Sequence, residues 1–259
     1  MKVALIQLQV SGQETAAERW LHVEHLLARL QGEAIDLIVL PELWGVGYYN
    51  FDLYEQQAEP LKGVTVSRLI PWARTLHSYI ITGSFVERTM QRRYFNTTAM
   101  IDTHGFLLDA YRKVHLYDAQ ERRCMTAGTQ SCEIYTSSGI IGMASGYDLW
   151  FPEQFRLMTD NGAAMFAVSS AWPEQQLENW HMLCRVRAME NQCFLLACNH
   201  AGMCQGVQGG GHSMIVAPDG SILAQAKEEE EVLIAEVDMN DTEQYRRQSH
   251  ILHDRIAMD

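Results

Sequence analysis

Three segments of this 259-residue sequence put polar residues where an apolar run ends, which is where α/β proteins build their sites. Leu40-Pro41-Glu42-Leu43-Trp44 follows the wholly apolar Leu37-Ile38-Val39-Leu40, so Glu42 emerges at a strand end. A carboxylate at such a half-buried edge takes a raised pKa and can serve as a general base. Tyr111-Arg112-Lys113-Val114-His115 sets a lysine after a second strand, where its ammonium can steady a developing oxyanion. In Ala144-Ser145-Gly146-Tyr147-Asp148 a third strand runs into a tight turn, and Pro152 suits the first position of a helix beyond it. That is the layout of a nucleophile elbow, with backbone N–H groups facing an oxyanion. Yet Gly146 has no side chain, and Ser145 before it points to the other face of the strand. Taken one at a time, bland readings stand ahead: a capping or loop carboxylate, a surface lysine, an ordinary turn.

The elements that position these residues alternate between strand and helix along the whole chain. Strands are expected at 3–8, 37–40 and 79–85, with helices at about 15–30 and 65–76 between them. Trp20, Val23, Leu27 and Leu30 give the first helix one buried face, and Gly32 stops it. Residues 94–101 and 106–111 form a hairpin across the turn at 102–105. Further strands fall at 140–145, 163–169, 193–198, 212–217 and 232–237, with helices near 152–160 and 174–191. Hairpins mixed with βα units predict two mixed sheets with helices outside them, in a single domain over 1–259. The Glu228–Glu231 run reads as a solvated turn before the last strand.

Composition sets outer limits. A net charge of −12 and the absence of clustered Lys and Arg exclude a nucleic-acid footprint. Met1-Lys2 leads straight into Val3-Ala4-Leu5-Ile6, too short for a signal-peptide core, and no apolar run has the length of a membrane span. The expectation is a cytoplasmic protein without membrane or nucleic-acid partners. Six scattered cysteines without a C-x-x-C pair predict free thiols and no metal site. Gly209-Gly210-Gly211 lacks phosphate-loop spacing and reads as a flexible approach to Ser213.

In order, the segments resemble the nitrilase superfamily of carbon–nitrogen hydrolases along nearly the whole chain. The signposts are Val3-Ala4-Leu5-Ile6-Gln7, Leu40-Pro41-Glu42, Tyr94-Phe95-Asn96-Thr97 and Arg112-Lys113-Val114-His115-Leu116. They continue through Tyr147-Asp148-Leu149-Trp150-Phe151-Pro152-Glu153, Arg187-Ala188-Met189-Glu190-Asn191 and Gly211-His212-Ser213-Met214-Ile215-Val216. The resemblance implies a four-layer α-β-β-α sandwich, association into homodimers through helices, and amide, nitrile or carbamoyl hydrolysis by a Glu-Lys-Cys triad without cofactor or metal. It assigns the base to Glu42, the oxyanion lysine to Lys113 and a supporting carboxylate to Glu121. Tyr49, Tyr147 and Trp172 are the expected substrate contacts; Trp150, where the family often has arginine, is expected to pack over the turn, with a pocket wall as the alternative, and Tyr48, Tyr49, Trp150 and Trp172 together hint at an aromatic-walled pocket.

The family's cysteine position falls on Gly146, and neither Cys124 nor Ser145 is an obvious substitute. A thiolate would form and then lose an acyl-enzyme; glycine can do neither. An amidase scaffold engineered to hold uncleaved substrate, a natural pseudoenzyme for ligand binding or assembly, a non-covalent enzyme using Glu42 and Lys113, and a sequence error all remain open.

Overall fold

The computed structural model describes residues 1–256, so the expected single unit over 1–259 runs three residues past the described part. The first half runs β1 (Lys2–Gln7), α1 (Ala16–Ala28), β2 (Leu37–Val39), α2 (Tyr54–Gln57) and α3 (Val64–Leu76). It continues with β3 (Tyr79–Arg88), β4 (Tyr94–Ile101), β5 (Leu107–Arg112) and the short α4 (Ala119–Cys124). The second half runs β6 (Glu133–Thr136), β7 (Gly139–Ser145), α5 (Pro152–Asp160), β8 (Met165–Ser169), α6 (Leu177–Asn191) and β9 (Phe194–Cys198). After it come β10 (Met203–Cys204), β11 (Val207–Gln208), β12 (Met214–Val216), β13 (Ile222–Gln225), β14 (Glu231–Glu236) and α7 (Met239–Gln248).

Two six-stranded sheets form, in the orders β14-β1-β2-β3-β4-β5 and β13-β12-β9-β8-β7-β6. Within each, the three central strands are parallel and the outer pairings antiparallel. Side-chain alternation makes the layers. Val3, Leu5, Leu37, Val39 and Ile81 face Ile141, Met143, Met165, Ala167 and Leu196 between the sheets. Their neighbours Ala4, Ile6 and Ile38 turn outward beneath Trp20, Val23 and Leu27 of α1 and Val66 and Leu69 of α3. On the far side Phe166, Val168 and Leu195 lie beneath Phe155 and Met158 of α5 and Trp180 and Cys184 of α6. Strands covered on both faces read as unbroken apolar runs, which is why the sequence exposes them so clearly. The result is the expected four-layer α-β-β-α sandwich.

Local chemistry sets the ends. Thr15 and Glu18 form a reciprocal capping box at α1, and Pro152 opens α5. Gly83 matters to the site directly. It sits at φ +67° where β3 slips register against β4, and a Cβ there would meet the Pro41 carbonyl oxygen at 2.2 Å. Only glycine allows the Pro41-Glu42 segment to lie across this bulge, where Ser84 N–H donates to Pro41 O and Leu43 N–H donates to Ser84 Oγ.

The expected boundaries hold within a few residues for the long elements. The structure adds α2, α4, α7, β6, β10, β11 and β13, for which no element was expected. The Gly209–Gly211 run is not a free approach: its three amides donate to Gly202, Trp172 and His200 carbonyls. All six cysteines are free thiols, five buried and Cys124 half-buried. Among the described residues no helix is long and apolar enough to cross a membrane, and no cluster suited to a metal ion occurs.

Candidate active site

The ends of β2, β5, β7 and β8 converge on one narrow cleft. At its floor lie Glu42 and Lys113, with Glu121 bonded to Lys113 from beneath; the three are exposed by only 2%, 1% and 0% respectively. Lys113 Nζ donates to Glu42 Oε1 at 2.8 Å and to Glu121 Oε1 and Oε2 at 3.0 and 3.1 Å. Asn96 Nδ2 binds the same two carboxylates, at 2.8 Å to Glu42 and 3.1 Å to Glu121. Asn96 is brought there by strand pairing, since Lys113 N–H donates to the Asn96 carbonyl. Glu121 is fixed in turn by the Tyr117 amide at 2.6 Å, and Asp118 caps the helix that carries it.

Burial divides the roles of the two carboxylates. Desolvation raises the Glu42 carboxyl above its ordinary range; Lys113 opposes the rise and the neighbouring charge of Glu121 reinforces it. For Glu121 burial also pushes upward, but Lys113 together with the hydrogen bonds from Tyr117 and Asn96 outweighs it, and the carboxyl sits low. Burial works against the charge on Lys113, yet the carboxylates of Glu121 and Glu42 hold its ammonium above the usual lysine range. The floor therefore pairs a fixed cation and a fixed anion with a second carboxylate that takes a proton readily.

The turn holding Gly146 is pinned to the lysine-bearing segment through Asp148. Its Oδ2 accepts from Ser145 N–H at 2.8 Å and Tyr111 Oη at 2.7 Å, while Oδ1 accepts from the His115 amide at 3.1 Å. The His115 ring stacks on Phe151 at 3.6 Å and lies 2.9 Å from Asp148 through Nδ1.

Tyr49, Tyr147 and Trp172 all line the cleft, and Gly146 forms part of its wall. Trp150 lines it too, stacked near Trp172 with ring centroids 6.3 Å apart, so the pocket-wall alternative describes it better than packing over the turn. Trp172 is held by its amide to Asn199 Oδ1 at 2.7 Å and by its indole N–H to the Gln176 carbonyl. Cys124 opens onto a different surface, beside Asp52 and Gln205, and burial pushes its thiol up. Ser145 turns away from the cleft, its Oγ donating to Ser169 O at 3.3 Å. Sequence reasoning missed Asn96, Tyr117, Gln176 and Ser170, whereas Tyr48 lines the cleft as the aromatic pattern suggests. Of the missed residues only Asn96 carried a signal, a lone amide at a buried position of a strand paired to the one ending at Lys113.

The family profile described as carbon-nitrogen hydrolase matches residues 2–247. Over 99% of its length the chain is similar to the 2-oxoglutaramate amidase of Paenarthrobacter nicotinovorans, at 34% identity and 90% coverage of that protein. Its fold superposes on the crystal structure of Saccharomyces cerevisiae Nit3, a member of the nitrilase superfamily. The TM-score there is 0.85 at 29% identity, covering 96% of this chain and 93% of that one. A cysteine-to-alanine variant of the amidase from Nesterenkonia sp. AN1, in complex with butyramide, matches with a TM-score of 0.82 at 25% identity, covering 96% and 95% of the two chains. This chain belongs to the carbon–nitrogen hydrolases of the nitrilase superfamily, and by that family it is an amidase-type hydrolase.

Proposed function

We propose that the chain takes a small carboxamide into this cleft and cleaves its C–N bond, with Glu42 as the base and Lys113 as the cation beside the developing oxyanion. Glu121 orients Lys113 and keeps its charge fixed; Tyr49, Tyr147 and Trp172 hold the acyl part. Gly146 occupies the position where the family carries its cysteine, so no acyl-enzyme forms at that residue. The observation that carries this reading is the buried Glu42–Lys113–Glu121 cluster at the floor of a cleft bounded by Gly146. Such a cluster costs desolvation energy that a purely structural core would avoid, and it supplies one proton acceptor and one fixed cation.

The walls favour a neutral amide. 2-Oxoglutaramate, named for one relative, carries a carboxylate. Here Lys113 is the only cation lining the cleft among the described residues, and two carboxylates already hold it. A further anion would be buried beside them without a partner, whereas the aromatic walls suit an apolar or aromatic acyl group. Self-association belongs to the same reading: Leu157 of α5 and Met182 and Met189 of α6 are exposed apolar residues on the outer helix layer, and sedimentation tests whether they bury a homodimer contact.

The direct test installs the thiol. Gly146→Cys should release ammonia from propionamide or benzamide, and adding Glu42→Gln or Lys113→Ala should abolish the release. A cysteine variant that folds but is inert across a broad amide and nitrile panel would sink the amidase reading. A melting temperature raised by amides would then point to a ligand-binding protein.

A further inference from the structure

The rim of the cleft is spanned by a polar pair drawn from opposite halves of the chain. Tyr117 and Gln176 both line the cleft, and Gln176 Nε2 donates to Tyr117 Oη at 3.2 Å. Each is held from behind. Tyr117 N–H donates to Glu121 Oε2 at 2.6 Å, and its ring packs edge-on against Tyr147 with centroids 5.1 Å apart. The Gln176 carbonyl accepts from the Trp172 indole at 2.9 Å, and Gln176 N–H donates to the Pro173 carbonyl at 3.1 Å. The bond between the two side chains exhausts neither. The Tyr117 hydroxyl keeps its hydrogen and Gln176 Oε1 keeps its lone pairs, and no protein group among the described residues engages them. Turning the amide over leaves the inventory the same, with Gln176 supplying the donor and Tyr117 the acceptor. Either way the rim presents one donor and one acceptor side by side, both uncharged, beside the aromatic walls of Tyr49, Tyr147, Trp150 and Trp172.

We propose that Tyr117 and Gln176 are specificity-determining residues that clamp an uncharged hydrogen-bonding group, a hydroxyl or a second carboxamide, at the far end of the acyl part. The proposal rests on the amidase reading above and narrows its substrate class to neutral amides ending in such a group. With the scissile carbonyl at Lys113 on the floor, the aromatic walls take the middle of the molecule and the rim pair takes its end. A hydroxyl there answers both groups at once, accepting from one and donating to the other. A methyl group would cover the donor and the acceptor and leave both unpaired, which costs their desolvation. A carboxylate would meet no cation at the rim, since Lys113 is the only one lining the cleft among the described residues and already serves two carboxylates. The clamp is also preorganised. Its two side chains stand on segments fixed by Glu121 and Trp172, so little freedom is lost when a ligand arrives.

Equilibrium binding to the unaltered protein tests this, followed by tryptophan fluorescence because Trp150 and Trp172 line the cleft. The ligands are 4-hydroxybenzamide, the similarly sized 4-methylbenzamide and the anionic 4-carbamoylbenzoate. The hydroxyl compound should bind about tenfold tighter than the methyl compound, the scale of one net hydrogen bond, and the carboxylate should bind weakest. Tyr117→Phe and Gln176→Leu should each remove that preference while leaving the affinity for 4-methylbenzamide nearly unchanged. Equal binding of the hydroxyl and methyl compounds, a preference that survives both variants, or tightest binding of the carboxylate overturns the proposal. So does the absence of binding by all three. Because the readout needs no turnover, the clamp and the amidase reading fail separately. A hydroxyl preference beside an inert Gly146→Cys keeps the clamp as a ligand site and ends the amidase reading. No preference beside an active Gly146→Cys ends the clamp alone.

Discussion

The two halves of the molecule follow one plan and supply different things. Read from β14 to β5 and from β6 to β13, both sheets pair their strands as antiparallel, parallel, parallel, antiparallel, antiparallel. In this correspondence β2 matches β8, and the residues that follow them, Glu42 and Ser170, meet through a backbone hydrogen bond. Every ionised group on the floor of the cleft comes from the first half: Glu42 after β2, Lys113 after β5, Glu121 on α4. The second half brings the uncharged Gly146, Ser170 and Trp172 to the same place. One copy of the plan carries the charge and the other carries the shape, so changes in the two halves should fail in different ways.

The largest effect should come from the charged half. Glu42→Gln keeps the side chain's size and removes the base, and should lower kcat by about 10²–10⁴ in whichever form turns over, the unaltered chain or Gly146→Cys. Steady-state kinetics checks it, and a loss below tenfold would move the base elsewhere. Lys113→Ala should lower kcat by about 10²–10³ and also destabilise the fold by about 3–5 kcal/mol, because two buried carboxylates lose their cation. Urea melts beside the kinetics separate the two effects. In the shaping half, Trp150→Ala should leave kcat nearly unchanged and raise KM for benzamide by about tenfold, the scale of one lost apolar contact in a pocket. If kcat falls instead, the division between halves is wrong.

The smallest and sharpest test is pH. Burial raises the Glu42 carboxyl, so the acid limb of kcat/KM should lie above the ordinary carboxylate value of 4.5, with activity rising as Glu42 loses its proton. Glu121→Gln removes a like charge from beside Glu42 and should move that limb downward. For stability the signs oppose. The contribution from protonated Glu42 is complete below 4.5 and lost as pH rises through its raised value. That from ionised Glu121 is present above 4.5 and lost as pH falls through its lowered one. A limb at or below 4.5 would contradict the buried arrangement.

The charged half was also the more legible in sequence. Glu42 and Lys113 stand out because each breaks the end of an apolar strand, and Glu121 follows from the family resemblance once they are placed. Asn96 opens the polar stretch Asn96-Thr97-Thr98 within a strand, and only its being the lone amide there sets it apart. Ser170 sits in Ser169-Ser170-Ala171, where nothing in residue type separates one serine whose hydroxyl bonds to Leu40 O from its neighbour whose hydroxyl has no partner. Elements went unread for a related reason. β13 is an exposed edge strand and α7 a mostly polar helix, so neither carries an apolar period. For Trp150 the two readings were open, because whether an aromatic packs on a turn or walls a cleft depends on the strand opposite, here β8, which brings Trp172 beside it.

The seam between β2 and β8 has one further consequence. Ser169 Oγ donates to Leu40 O at 2.9 Å, and with the Glu42–Ser170 bond it laces the sheets together directly beneath the cleft. A sandwich tied at that point cannot open like jaws without breaking buried hydrogen bonds. Traffic in and out is left to the exposed rings of Trp150 and Tyr117 at the rim, whose rotamer flips run in picoseconds to nanoseconds rather than at the pace of a domain hinge.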